Sequence, residues 1–219
     1  MKQFSLIAIT ALTTSANYDS SHVSDPDAIT GNTGKWDEST TARQDIRNSL
    51  NYAAEKILLD TNGAVNEEDL KLVIGPTLAR KLAKTQEIVD YIKGSPDALN
   101  QIKEGGKNAR FGLPNTLYGW DVVVEKTVRV TSRKGASSTS RAFVLTDSNA
   151  IMTARPGSLE GVADAPNFST CSIFMYEEMT VEKKQDADNR RLRGRVVEDY
   201  DVKMTAPVSG FLFTNVVTT

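Results

Sequence analysis

The period of the hydrophobic pattern changes near Tyr118, and this change constrains the fold more than any other feature of the sequence. Before it, apolar residues recur about every 3.6 positions, which is the spacing of amphipathic helices. After it, residues 120–125 point alternately to the two faces of a strand, and later segments do the same. Helices followed by a run of strands predict an α+β fold and argue against a doubly wound parallel sheet.

The first half of the chain is predicted to contain helices separated by one short strand. Thr41 and Gln44 resemble a capping box and open a helix with a long apolar stripe. Residues 70–74 alternate as a half-buried strand. A second apolar stripe over residues 78–92 predicts another helix, and Ser95-Pro96 has the composition that starts a short helix after it.

The second half is predicted to be largely antiparallel sheet. The predicted segments are, in chain order, a strand or bent pair over residues 120–130, a flexible hairpin tip over 132–140, a return strand over 142–154, a long strand through 174–181, a turn at 186–189 and a returning strand through 196–204. Near the start of the chain, residues 17–41 are polar and aperiodic, so we expect an extended loop or short strands that carry no core by themselves.

Composition sets limits on partners and compartment. A chain of 219 residues with 39% hydrophobic residues can bury a core in one large domain or two small ones. Its net charge of -2 supplies no global basic field, so any contact with DNA is expected to be local or weak. No apolar run reaches the roughly 18 residues that span a bilayer. The lone Cys171 forms no internal disulfide, which favours a reducing compartment.

The apolar N-terminus has two interpretations. Lys2 followed by an apolar stretch and Thr-Ser-Ala resembles a short secretory signal. Alternatively, residues 3–14 form the end of a buried helix. The hydrophobicity fits both interpretations, and the sequence of this segment does not separate them.

No known catalytic or ligand-binding motif is complete in this sequence. Gly34-Lys35 lacks the first glycine and the magnesium-binding hydroxyl of a phosphate loop. A calcium-loop pattern starting at Asp60 lacks its third ligand and its glycine, which indicates a turn. His22 lies in a polar loop without a nucleophile elbow, so we expect it to face solvent or pack the loop. Cys171 is interpreted as a small hydrophobe. We therefore predict no catalytic, cofactor-binding or metal-binding residue, and no enzyme.

Charged residues on the predicted hairpins are the candidate subunit contacts. Salt bridges between paired strands, or a solvated face, are the simpler interpretation. Complementary charges between subunits would instead set the register of an interface. The candidates are Arg133, Lys134, Arg141, Glu177, Glu178, Arg190, Arg191, Arg193 and Arg195.

The order of segments as a whole resembles the major capsid proteins of tailed bacteriophages, a fold shared with encapsulin compartments. The stretches that carry the resemblance are residues 15–18, 34–37 with the helix from Asp45, 72–76 with the helix over 78–92, 111–124, 202–207 and 210–215. None of them is an invariant signature, and it is their agreement in order that carries the resemblance.

The resemblance implies an axial domain over residues 42–194, with a mixed sheet and flanking helices, and parts of a β-rich peripheral domain at 1–41 and 195–219. It implies a structural subunit that self-assembles into the pentamers and hexamers of an icosahedral shell enclosing DNA. Other copies of the chain would be its main partners, with scaffolding or portal proteins as further ones and DNA held only by weak contacts. The expected location is the virion capsid, assembled in the host bacterial cytoplasm, with no cofactor and no membrane.

The sequence departs from the family pattern at its start. Family members carry an N-terminal arm, an extended loop and a long spine helix before this region, and residues 3–14 would correspond to the tail of that helix. Assembly by the chain alone therefore stays an open question. Two alternatives also stay open: an encapsulin-like compartment shell protein, and an exported β-rich binding protein with a cleaved signal peptide.

Overall fold

The computed structural model describes residues 2–37, 44–155, 169–186 and 191–218. Its helices are α1 (Lys2–Thr13), α2 (Asp45–Asp60), α3 (Pro76–Leu82), α4 (Gln86–Gly94) and α5 (Pro96–Lys103). Its strands are β1 (Val23–Ser24), β2 (Leu70–Ile74), β3 (Thr116–Leu117), β4 (Trp120–Val124), β5 (Val128–Val130), β6 (Arg141–Phe143), β7 (Ala150–Ala154), β8 (Cys171–Asp186), β9 (Arg191–Met204) and β10 (Gly210–Phe213). The predicted α+β class is confirmed.

The main sheet is mixed and has six strands in the order β1-β10-β7-β2-β4-β3. Strand β1 runs parallel to β10, and β2 runs parallel to β4, while the other neighbours are antiparallel. The remaining described strands form two separate hairpins, β5–β6 and β8–β9. The sheet therefore joins strands from both ends of the chain, and the hairpins lie outside it.

Helix α2 covers one face of the main sheet. The side chains of β2 alternate, and its residues 70, 72 and 74 are buried on the face towards α2. The facing stripe of α2 includes Ile46, Leu50 and Ile57, none of which has any exposed surface. Burial of a side chain of this size contributes about 1.5–3 kcal/mol to stability, so this layer forms the larger of the two apolar cores.

Trp36 belongs to this core, although it comes from the segment that was expected to carry no core by itself. Its side chain is buried, its ring centroid lies 5.3 Å from that of Phe213, and its indole Nε1 donates a hydrogen bond to Ser49 Oγ at 3.0 Å. Ile29 of the same loop is also buried in this cluster. Two isolated apolar anchors give no period in the sequence, yet each fills space between the sheet and α2.

A second core covers part of the other sheet face and includes helix α1. Ile9 of α1 packs with Tyr18, Leu145, Ile151 and other residues in this cluster. The Tyr18 hydroxyl donates to the Leu12 carbonyl at 2.8 Å and so fixes the end of the helix. This packing agrees with the interpretation of residues 3–14 as a helix that packs on the core.

Two predicted elements are each divided in the structure. The stripe over residues 78–92 forms α3 and α4, because Thr85 has extended backbone angles and its hydroxyl bonds back to Leu82 O at 2.7 Å. The predicted return strand over 142–154 forms β6 and β7, which belong to different sheets. The predicted strand or bent pair over residues 120–130 forms two strands, β4 and β5, which also belong to different sheets. The strand β2, the Ser95 N-cap and the long antiparallel pair β8–β9 are confirmed. The predicted turn at 186–189 lies, after Asp186, outside the described residues.

Helix α2 receives its N-terminal cap from a distant helix. Thr41 of the predicted capping box lies outside the described residues, and Gln44 makes no side-chain cap. Instead, Glu87 of α4 accepts hydrogen bonds from the backbone N–H groups of Ile46 and Arg47, at 2.9 and 3.0 Å. The Tyr118 hydroxyl donates to the same carboxyl group at 2.9 Å. Burial raises the pKa of Glu87, against the lowering effect of these hydrogen bonds.

His22 fastens the N-terminal loop to both α2 and β10. Its Nδ1 lies 2.9 Å from the Gly210 carbonyl oxygen, and its Nε2 lies 2.8 Å from Asp60 Oδ2. Because a backbone carbonyl and a carboxylate both accept hydrogen bonds, the ring satisfies both partners when both of its nitrogens carry a proton. Lys56 also reaches the Asp60 carboxylate, at 3.0 Å. Of the two expected environments, the ring packs the loop and does not face solvent.

The division into an axial domain (42–194) and peripheral parts stays a prediction. Its boundary at 194/195 falls inside β9, and β10 from the predicted peripheral part pairs with β7 in the main sheet.

Gly75, between β2 and α3, should not tolerate a side chain. A Cβ atom at this position would lie 2.4 Å from the backbone oxygen of Leu145. We expect Gly75→Ala to lower the free energy of unfolding by about 1–3 kcal/mol, the usual cost of overpacking. Urea denaturation would measure it. Gly94→Ala is the control, because nothing lies within 4 Å of its added Cβ; equal stability of the two variants would contradict the prediction.

The Asp60 contact should make stability depend on acid pH. Hydrogen bonds from His22 and then Lys56 hold the pKa of Asp60 below its ordinary value of 3.8. The folded state therefore binds this proton less readily than the unfolded state, so the contribution is present above that value and is lost as pH falls through the folded-state pKa.

Thermal unfolding of the wild type and of Asp60→Asn, followed from about pH 6 to pH 2, tests this dependence. We expect the difference in Tm between the two proteins to be largest near pH 6 and to shrink as the pH falls. Asp27→Asn serves as the control, because Asp27 is exposed. A difference that stays constant with pH, or that Asp27→Asn reproduces, would show that the Asp60 contact is not its source.

Candidate subunit-contact surfaces

The β8–β9 hairpin projects from a rigid base. The base is fixed by Thr170, which is buried, accepts a hydrogen bond from Ala154 N at 2.9 Å and donates one to the Ser209 carbonyl at 3.0 Å. Helix α1 packs against β9, and Val202 near the base is buried. Beyond this point the strands of 16 and 14 residues pair only with each other among the described strands.

Apolar side chains are exposed on both faces of this hairpin. Residues 173–176 are all apolar, and successive residues of a strand point to opposite faces. Tyr176 is 89% exposed and Phe174 is 53% exposed, and Val181 and Val196 further along are exposed as well. A two-stranded hairpin is marginally stable alone, and a clustered apolar surface marks a protein interaction site. We define residues 173–176, Val181 and Val196 as the apolar hairpin surface.

Sequence reasoning missed this surface, because it looked for contacts among charged residues. The signal was present in the run of apolar residues at 173–176. A continuous apolar run in a strand needs cover on both faces, and the described part of the chain leaves residues 173–175 about half exposed and Tyr176 almost fully exposed.

The charged candidates on the same hairpin are placed by the strand register. Glu182 lies opposite Arg195, and the carboxylate oxygen is 4.0 Å from the guanidinium Nε in a highly exposed pair. Such a pair contributes little to stability. Arg191 and Arg193 lie opposite Asp186 and Lys184 in the register. Glu177 and Glu178 lie on β8, and Arg190 falls outside the described residues.

The remaining candidates lie on the β5–β6 hairpin. Arg141 pairs with Val130 next to the connecting tip, and Arg133 and Lys134 lie in that tip. All three cationic residues are exposed. The structure therefore divides the candidates between two hairpins, and their role in subunit contact stays a prediction.

The residues that were considered for catalysis or metal binding have structural roles or buried surroundings. Both ring nitrogens of His22 are bonded, and burial raises the pKa of Cys171. Asn62 and Gly63 have positive φ, which is typical of the turn expected after α2. Within the described ranges, no group of three or more His, Cys, Asp or Glu residues is placed to hold a metal ion. None of the described helices is long and apolar enough to cross a membrane.

Comparison with known proteins gives structural likeness without sequence likeness. No protein-family model matches the sequence, and no curated protein matches it. The structure is similar to a phage-related protein from Bordetella bronchiseptica RB50, with a TM-score of 0.62 and 14% identity over 96% of this chain. It is also similar to the mature capsid of bacteriophage PhiM1, with a TM-score of 0.51 and 13% identity over 97% of the chain. The capsid of cyanophage P-SCSP1u gives a TM-score of 0.52 and 15% identity, also over 97%.

The chain spans 62%, 59% and 60% of the lengths of these three structures. At such low identity the likeness shows the fold, and the fold is the one that phage capsid proteins have. The expected capsid fold, which rested on the order of loosely matching segments, is therefore confirmed.

Proposed function

We propose that this protein is a structural subunit of the icosahedral shell of a tailed phage or prophage. In this proposal copies of the chain assemble in the host cytoplasm into pentamers and hexamers, and the shell that they form encloses DNA. The likeness to two phage capsids supports the shell role. Those neighbours also favour a shell protein over an exported binding protein.

The observation that carries the proposal is the apolar hairpin surface. Each large apolar side chain left in water forgoes about 1.5–3 kcal/mol of possible burial energy. A protein that works as a monomer gains nothing from a long hairpin with apolar residues on both faces. In a closed shell, neighbouring subunits would cover such a surface, and many modest contacts would add up through symmetry.

The proposal assigns different tasks to different parts of the chain. Residues 42–194 would gather around the symmetry centres as the axial domain, and the ends of the chain would form peripheral parts. Charged residues beside the apolar hairpin surface, such as Arg191 and Arg193, would set the register between subunits, because like charges disfavour wrong pairings. Scaffolding or portal proteins would be further partners. No step of this function requires a cofactor.

Removing the apolar hairpin surface should block assembly and leave the subunit folded. We expect Phe174→Ser/Tyr176→Ser to change the free energy of unfolding by less than about 1 kcal/mol, because both side chains are exposed. We expect the same variant to lose closed particles, because the neighbour would no longer bury these rings. Light scattering and negative-stain electron microscopy would measure assembly.

Assembly would be measured on two preparations of each variant. One is the chain alone, and the other is the chain extended by the upstream genomic sequence. Leu59→Ser on α2 is the control, because Leu59 is an apolar residue with 66% exposure on another surface. Normal particles from the double variant would exclude the hairpin as an interface. Monomers from every wild-type preparation would count against the shell function itself.

Charge reversal on β9 tests the predicted role in register. We expect Arg191→Glu/Arg193→Glu to impair assembly while the isolated subunit keeps its Tm, because the wrong charge would repel the complementary surface of a neighbour. The matched control is Lys84→Glu/Lys93→Glu, which reverses two exposed charges on the α3–α4 side of the molecule. Particles of normal size and yield from the β9 variant would contradict the prediction.

A further inference from the structure

A basic cleft lies on the part of the main sheet that α1 leaves uncovered. Leu72 of β2 faces α2, so its neighbour Lys71 points to the opposite face, where it pairs in register with Asp121 and Thr153. The cleft over this face has a volume of about 330 Å³. Its cationic lining comes from four separate segments of the chain and consists of Lys71, Lys107, Lys126 and Arg155.

The cleft carries more positive charge than its own carboxylate balances. Asp121 is its one acidic lining residue, and its carboxylate lies 3.3 Å from Lys71 Nζ. Among the described residues, Lys107, Lys126 and Arg155 make no ion pair with a carboxylate. The Lys126 ammonium lies 5.2 Å from the centroid of the Phe111 ring. The three cations repel one another, and an anion bound between them would relieve that repulsion.

The positive surface continues from the cleft along the β5–β6 hairpin. Lys126 lines the cleft and leads directly into β5. Residues 126–146 contain five cationic residues and no Asp or Glu. Arg129, Arg133, Lys134 and Arg141 in this stretch are all exposed. A chain with a net charge of -2 therefore concentrates positive charge along one continuous track.

We propose that this basic track, the cleft together with residues 126–141, binds the phosphate backbone of double-stranded DNA without sequence specificity. The inference rests on the proposed function, in which the shell encloses DNA, and it identifies the surface that would face the DNA. Lys and Arg side chains supply most contacts to phosphate oxygens, and such contacts fix position without reading sequence.

The composition of the cleft favours nucleic acid over a protein partner. Interfaces between proteins are enriched in aromatic residues and depleted in Lys at their core. The cleft is lined by three Lys residues and one Arg, and the aromatic ring of Phe111 packs beside Lys126 without being part of the lining. Its cations also extend along a hairpin instead of converging on one point, which suits a repeating array of phosphates better than a single carboxylate.

DNA binding by the purified chain tests the proposal directly. Fluorescence anisotropy with a labelled duplex of about 30 base pairs, measured between about 50 and 200 mM salt, gives the affinity and its salt dependence. We expect Lys107→Gln/Lys126→Gln to lower the affinity at least about fivefold and to reduce the salt slope by about 1.8, or 0.9 for each lost phosphate contact. The matched control is Lys84→Gln/Lys93→Gln, which removes the same charge from exposed positions that do not line the cleft.

Three outcomes would overturn the proposal: no effect of the cleft variant, an equal loss in the control variant, or tighter binding of polyglutamate than of DNA to the same residues. Electron microscopy of the wild type and the same variants measures shell assembly independently of DNA binding. The two measurements together show which of the two proposals fails. Normal shells from a wild-type protein that does not bind DNA would reject the basic track alone. DNA binding that depends on Lys107 and Lys126, in a protein that never assembles, would reject the shell function and leave the track in place.

Discussion

Strand β2 is hydrogen-bonded on both edges, to β4 on one side and β7 on the other, and the rest of the structure depends on this pairing. Its buried side chains meet the apolar stripe of α2, so its position is set both by backbone hydrogen bonds and by packing. A shift of one residue in its register would turn the apolar side of the strand away from α2. Through β7, the pairing extends to β10 and so ties residues near both ends of the chain to one sheet.

The two hairpins are consequences of this arrangement. Along the chain, β5–β6 lies between β4 and β7, and β8–β9 lies between β7 and β10. Each hairpin is thus inserted between strands of the main sheet without adding a strand to it. The sheet and its helices hold the ends of each hairpin in place, and the length beyond remains available for partners. This explains how a well-packed fold presents so much uncovered surface.

The two hairpins differ in chemistry. The β8–β9 hairpin exposes rings and aliphatic side chains, for which burial against another protein is the favourable outcome. The β5–β6 hairpin exposes cations and continues a basic cleft, for which a polyanion is the favourable partner. In the proposed shell, the first surface would face neighbouring subunits and the second would face the enclosed nucleic acid. The different partners proposed for the two hairpins follow from their side-chain chemistry and not from the fold alone.

Local patterns in the sequence were sufficient for the α+β class, strand β2, the Ser95 cap and the long β8–β9 hairpin, because alternation and capping depend on residues close in the chain. Only the tertiary structure decided that residues 142–154 serve two sheets, that Trp36 fills the core and that His22 reaches both Asp60 and Gly210. Each of these depends on partners far away in sequence. The exposure of Tyr176 is of the same kind: a strand pattern shows which side chains share a face, while the presence of a covering layer is a property of the folded chain.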